Sequence, residues 1–232
     1  MAIAPEKCEW HKSQVNFLGD IISADGVEMD QEKIKTVLEW DAPETVKDIQ
    51  SFLGFANFYQ QFIEGNSKLT LPLTDLTKMS EKFFWSPECD NAFQELRSRF
   101  TSAPILRHFD LHLLCSIECD ALDFAISAVL TQKCDGRLHP VAFHLRKMNK
   151  HESNYEIHDK KLLAITSVFK EWCQYLEGSR HKIFVSTDHR GLEWFTQNKP
   201  LNRRQARWAL ELDGFDFQII YRPATQNTKP NA

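Results

Sequence analysis

The spacing of the apolar residues changes near residue 110, and this change constrains the fold more than any other feature of the chain. Before it, apolar residues recur every three or four positions, as in Val46, Ile49, Phe52 and Leu53. That period is typical of helices that bury one face. After residue 110 the apolar residues alternate with polar ones, which is typical of strands. The chain is therefore predicted to join a helical module to an α/β module.

The first module is predicted to begin with a strand pair over 14–23, followed by a turn at Asp25-Gly26. Four helices should then occupy 31–40, a stretch from residue 45, 71–78 and a stretch from residue 86. Asp30 and Ser86 stand where helix N-caps are expected, Thr45 should begin the second helix, and Pro87 suits the first helical position.

The second module is predicted to be a mixed five-stranded sheet with helices, which makes the whole chain α/β. Three antiparallel strands are expected at 113–120, 125–132 and 139–145, with a turn at Cys134-Asp135-Gly136-Arg137 between the second and third. A helix over 159–176 should lead to a fourth strand, 181–188, parallel to the first. Helices at 190–197 and 202–212 and a strand at 215–222 should follow.

Charge also divides the chain near residue 110. Residues 1–110 carry 11 basic and 18 acidic side chains, and residues 111–232 carry 17 basic and 14 acidic ones. The overall net charge of −4 does not indicate a general binder of polyanions. The asymmetry favours two modules.

Several classes of protein are excluded or disfavoured by composition. There is no apolar run of the ~18 residues that a membrane span needs, and no secretory signal at the start. Six cysteines without a CxxC pair indicate reduced thiols in an intracellular, cytoplasmic or nuclear protein with no membrane partner.

Short motifs in both halves carry a family resemblance. The first half contains Phe17-Leu18-Gly19, the run SFLGFANFYQQFI at 51–63 and Phe84-Trp85-Ser86. The second half contains Cys119-Asp120-Ala121, Asp159-Lys160-Lys161-Leu162-Leu163, Thr187-Asp188-His189 and Arg204-Gln205-Ala206-Arg207-Trp208. In this order they resemble the end of the palm, the thumb and the ribonuclease H domain of reverse transcriptases from Gypsy-type (Metaviridae) LTR retrotransposons. The run 203–208 is most similar to fungal elements.

The resemblance implies a division of the chain into four parts. These are an end-of-palm hairpin at 1–30, a helical thumb at 31–103, a linker at 104–112 and a ribonuclease H-like domain at 113–232. The last helix of the family fold would start near Ala232, so the domain is expected to lack it. The Tyr-x-Asp-Asp loop of the family's polymerase site does not occur in the sequence, so the chain is not expected to polymerise DNA alone.

The resemblance also implies a reaction, in which two Mg²⁺ ions held by four carboxylates cleave the RNA strand of an RNA–DNA hybrid. The motifs place the first and third carboxylates on Asp120 and Asp188. Lys161 stands where the family has a glutamate, and Asn231 where it has an aspartate. Because two of four ligands are replaced, we expect Mg²⁺ binding to be impaired.

The neighbouring acids are poor substitutes for the missing ligands. Asp159 precedes Lys161 by two positions and should face another side of the helix. Glu118 shares a strand face with Asp120 but should lie ~6.6 Å further back. We therefore expect the Lys161 ammonium to enter the gap between Asp120 and Asp188 and to form an ion cluster there.

A second group of residues is a candidate for nucleic-acid contact. Lys199, Arg203, Arg204 and Arg207 cluster beside aromatic residues that include Trp208. Exposed cations next to aromatic rings suit a phosphate backbone. The competing interpretation is a solvated helix face with Trp208 in the core. The expected partners are an RNA–DNA hybrid or another nucleic acid and the rest of a retroelement polyprotein.

Three functions remain open at this point. The chain is a weak or inactive reverse transcriptase fragment with a ribonuclease H-like domain, a working hybrid nuclease with altered ligands, or a non-enzymatic binding module recruited from an element. Lys161 and Asn231 favour the first and third over the second.

Overall fold

The computed structural model of the chain describes residues 11–63, 66–78, 83–121, 125–195 and 201–223. It begins with a small antiparallel sheet of three strands, β1 (Gln14–Phe17), β2 (Asp20–Ser23) and β3 (Val27–Met29). The strand pair predicted over 14–23 consists of β1 and β2. A tight turn at Leu18 and Gly19, both with positive φ, joins the two strands. This turn was not predicted, because leucine rarely adopts such a φ.

Four helices follow: α1 (Gln31–Leu38), α2 (Val46–Phe58), α3 (Asn66–Asp75) and α4 (Pro87–Thr101). Asp30 and Ser86 cap α1 and α4 as predicted, each accepting a hydrogen bond from a backbone N–H. Thr45, predicted to begin the second helix, caps α2 in the same way. The prediction for the third helix, 71–78, was wrong, because α3 starts five residues earlier. Pro72 lies inside α3, next to the fully buried Leu73.

The second module is the predicted five-stranded mixed sheet. Its strands are β4 (Cys115–Ala121), β5 (Ala125–Cys134), β6 (Arg137–Lys147), β7 (Ile183–Thr187) and β8 (Phe217–Tyr221), in the order β6-β5-β4-β7-β8. The first three pair antiparallel, and β7 lies parallel to β4 as predicted. Asp135 and Gly136, with φ of 51° and 78°, close the β5–β6 hairpin, as the two-residue turn requires.

Three helices belong to this sheet: α5 (Ile157–Glu171), α6 (Cys173–Leu176) and α7 (Arg203–Leu212). The predicted helix over 159–176 is therefore divided, with Trp172 between its two parts. The predicted helix at 190–197 is a 3-10 turn, Arg190–Trp194, within the described residues.

The described residues form two separate cores. One joins the helices and includes Phe52, Phe93 and Phe100; the other joins α5 to the sheet and includes Ile117, Ile165 and Val185. The segment that connects the two cores is attached to the first sheet, because Leu106 pairs with Val27 of β3 through two backbone hydrogen bonds.

Candidate ion-cluster site

The sheet topology brings two acidic residues to the same end of the sheet. β4 and β7 are parallel neighbours, with Glu118 opposite Ser186, so their carboxyl ends lie together. Asp120 is the second-last residue of β4, and Asp188 directly follows β7. The acids are therefore placed by strand order, although 68 positions separate them in the sequence.

Lys161 reaches both acids from the second turn of α5. Its Nζ donates a hydrogen bond to Oδ1 of Asp120 and lies 2.7 Å from Oδ1 of Asp188. The second contact is an ion pair without hydrogen-bond geometry. The side chains of Lys161 and Asp120 are 7% and 3% exposed, whereas that of Asp188 is 23% exposed. The cluster is thus buried and opens to solvent at Asp188.

The electrostatics favour a charged lysine. Burial works against the ammonium, but the hydrogen bond to Asp120 and the charges of Asp120 and Asp188 outweigh it and raise the pKa of Lys161. Beside the cluster, burial raises the pKa of the Cys119 thiol to about 12, and the charge of Asp120 adds to this effect. Cys119 therefore stays protonated at neutral pH.

The neighbouring acids are engaged elsewhere. Asp159 accepts hydrogen bonds from Nη1 of Arg204 at 3.0 Å and from Nε2 of Gln205 at 2.8 Å. Glu118 accepts one from Nη1 of Arg222 at 3.2 Å. Both acids thus have partners of their own, on α7 and just after β8.

The donor set does not suit a divalent cation. Mg²⁺ takes oxygen ligands in a near-octahedral shell, and here both candidate carboxylates face an ammonium. Within the described ranges, no three His, Cys, Asp or Glu side chains are placed to share a metal ion. Asn231 lies outside the described residues.

The residues that were predicted to contact nucleic acid lie in different environments in the structure. Arg204 turns inward, and its guanidinium lies 3.7 Å from the ring centre of Tyr155 while it bonds Asp159. Arg203 and Arg207 are exposed, Trp208 is buried in the core, and Lys199 lies outside the described residues. Arg204 is therefore engaged by Asp159, and nucleic-acid contact by the four residues stays a prediction. The contact of Arg204 with Tyr155 and the ion pair of Arg222 with Glu118 were not predicted from the sequence.

Comparison with known proteins fits this fold. Residues 85–185 match a family model described as the RNase H-like domain found in reverse transcriptase. The chain is 40% identical over 230 residues to the Tf2-3 and Tf2-4 transposon polyproteins of Schizosaccharomyces pombe. The alignment covers 98% of this chain and 17% of each polyprotein.

Two solved structures of the foamy viral protease-reverse transcriptase share the fold. The complex with dsDNA gives a TM-score of 0.70 at 20% identity, covering 92% of this chain and 45% of that chain. The complex with an RNA/DNA hybrid gives 0.69 at 20% identity, covering 92% and 30%. None of the described helices is long and apolar enough to cross a membrane.

Residues 85–185 are therefore similar to the RNase H-like domain found in reverse transcriptase. Over almost its whole length the chain is similar to a part of the Tf2 retrotransposon polyproteins. The resemblance to retrotransposon reverse transcriptases is thus confirmed.

Proposed function

We propose that this chain is a non-cleaving RNase H-like module, in which an ion cluster replaces the metal centre implied by the resemblance. The observation that carries the proposal is the Lys161 ammonium between Asp120 and Asp188. A lysine at that position supplies one positive charge and three N–H donors. It forms ion pairs with both carboxylates without a metal. It contributes no ligand to a metal ion.

Charge repulsion supports the same conclusion. A dication entering the cluster must displace an ammonium whose pKa is raised by its two partners. At 4 Å and an effective dielectric near 20, each unit of like charge costs about 4 kcal/mol, so the repulsion from a dication is roughly twice as large. Hydrolysis by two metals needs both ions in place to activate water and to stabilise the leaving oxygen.

The proposed module would act by holding nucleic acid, because one similar solved structure is a complex with an RNA/DNA hybrid and another is a complex with dsDNA. Its other expected partner is the rest of a retroelement polyprotein, since the relatives are polyproteins. A catalytically competent nuclease with altered ligands is the alternative that the experiment must exclude.

The test is cleavage of a labelled RNA–DNA hybrid in Mg²⁺ and, separately, in Mn²⁺. The native chain should give no more product than Asp120→Asn. Lys161→Gln removes the ammonium without adding a carboxylate and should stay inactive. Lys161→Glu should restore cleavage only in part, and Lys161→Glu with Asn231→Asp should restore more. Cleavage by the native chain that Asp120→Asn abolishes would overturn the proposal.

A further inference from the structure

A cleft of about 890 Å³ lies between the two modules. Its walls come from β2, the end of α2, the connecting segment, β6 and α6, and the ion-cluster residues Asp120, Lys161 and Asp188 are not among the described residues that line it. Ligand sites commonly enclose about 300–1,000 Å³ and lie preferentially between domains. The cleft therefore has the size and the place of a binding site for a small molecule.

The connecting segment holds the walls of this cleft together. Leu106 exchanges two backbone hydrogen bonds with Val27 of β3, and the backbone N–H of Arg107 donates to the carbonyl oxygen of Pro140 in β6 at 2.9 Å. The segment thus joins the three-stranded sheet to the edge strand of the five-stranded sheet. Because both walls are tied to this segment, the cleft is preformed, and a ligand does not have to order it.

Aromatic residues from both modules line the cleft. Phe58, at the end of α2, is 58% exposed. Across the cleft's other residues, Phe109 and Tyr175 pack against each other with their ring centres 5.2 Å apart. Aromatic rings attract one another in such offset or tilted arrangements. The lining therefore favours a flat aromatic ligand.

The charges of the lining favour a cation. Asp20 and Glu171 both line the cleft, and so do Arg107 and Arg146. Arg146 donates two hydrogen bonds to Glu152, at 2.9 and 3.1 Å, so its charge is compensated. Among the described lining residues, with histidines counted as neutral, Arg107 then offsets one of the two carboxylates. One negative charge is left in excess.

Asp20 gives this negative charge a position. Its Oδ2 accepts a hydrogen bond from Nε2 of Gln61 at 3.1 Å, whereas its Oδ1 has no hydrogen-bond partner within the described residues. A buried polar atom without a partner is uncommon in folded proteins. Burial also raises the pKa of this carboxyl. A protonated amine would supply the missing donor through a charge-assisted hydrogen bond.

We propose that the cleft binds a small organic cation in which a flat aromatic ring carries a protonated amine. The amine donates to Asp20, and the ring packs against the aromatic residues Phe58, Phe109 and Tyr175. This ligand contacts both modules at once. An aromatic anion held by Arg107 is the competing ligand that the experiment has to distinguish.

The experiment titrates the full chain with tryptamine, an indole with one protonated amine at pH 7, and follows binding by ligand-observed NMR. A ligand of this size should bind with a Kd of about 1 mM. Indolepropionate carries the same ring with a carboxylate, and indole carries no charge. Each should bind roughly tenfold more weakly than tryptamine, because neither can form the charge-assisted hydrogen bond.

Variants on both walls locate the ligand. Asp20→Asn removes the negative charge but keeps an oxygen that can accept from Gln61, and it should weaken tryptamine binding about tenfold. Tyr175→Leu removes a ring from the other wall and should weaken it about threefold, which tests the site even if the Asp20 variant does not fold. Glu28→Gln is the matched control, because Glu28 lies on the neighbouring strand β3 and does not line the cleft.

The control variant should change the affinity less than twofold. Indolepropionate binding as tightly as tryptamine would overturn the proposal, and so would an affinity for tryptamine that neither Asp20→Asn nor Tyr175→Leu changes. Absence of tryptamine binding at about 10 mM would overturn it as well. No step of this test involves cleavage, so the proposed function stands or fails separately.

Discussion

Replacing Lys161 with alanine tests the ion cluster directly. The substitution leaves two carboxylates side by side, one of them 3% exposed. At the 2.7 Å that separates Lys161 Nζ from Asp188 Oδ1, an effective dielectric near 20 gives an attraction of about 6 kcal/mol. Desolvation of the ammonium offsets part of this, and breaking one buried pair typically costs about 3–5 kcal/mol.

We expect Lys161→Ala to lower the free energy of unfolding by about 3 kcal/mol at pH 7. The full contribution is present there, because the folded pKa of Lys161 is raised. A raised lysine pKa gives stability below the ordinary value near 10.5 and loses it only as pH rises through the folded value. Lowering the pH should relieve the defect of the variant, because protonation removes the charge of the stranded carboxylates.

The assay is urea unfolding followed by tryptophan fluorescence. Lys170→Ala is the matched control, since Lys170 lies on the same helix and pairs with Glu211 at the surface, where its side chain is 61% exposed. Such a surface pair is worth about 0–1 kcal/mol. Adding Asp120→Asn to Lys161→Ala should recover part of the loss. Equal urea midpoints for the Lys161 and Lys170 variants would refute the reasoning.

Two further predictions concern pH and backbone strain. Burial lowers the pKa of His144, with nearby Glu171 opposing the shift, so His144 favours folding above pH 6.5 and loses that contribution as the pH falls through its folded pKa. The difference in urea midpoint between the native chain and His144→Gln should therefore shrink between pH 7 and pH 5, and a constant difference would contradict this. Gly26 has φ of +146°, and an added Cβ would lie 2.2 Å from the carbonyl oxygen of Leu106, so Gly26→Ala should lower the free energy of unfolding by at least about 2 kcal/mol. Gly54→Ala, in an open position on α2, should raise it by about 1 kcal/mol, and a similar loss in both variants would contradict the steric argument.

The sequence by itself determined the local structure. The change of apolar period predicted the order of helices and strands, and Asp30, Thr45 and Ser86 marked helix starts because a cap acts within three residues of itself. The family motifs selected Asp120, Lys161 and Asp188 as one group.

Only the tertiary structure decided how distant groups pair. Leu18 adopts a positive φ because the pairing of Phe17 with Asp20 closes a two-residue turn there. Helix α3 continues through Pro72, beside the fully buried Leu73, because packing outweighs local preference. The separation of Arg204 from Arg203 depends on where α7 lies relative to Asp159, 45 positions earlier. Such contacts depend on strand order and helix docking, which bring together residues with no local relation, and a residue pattern carries no distance between them.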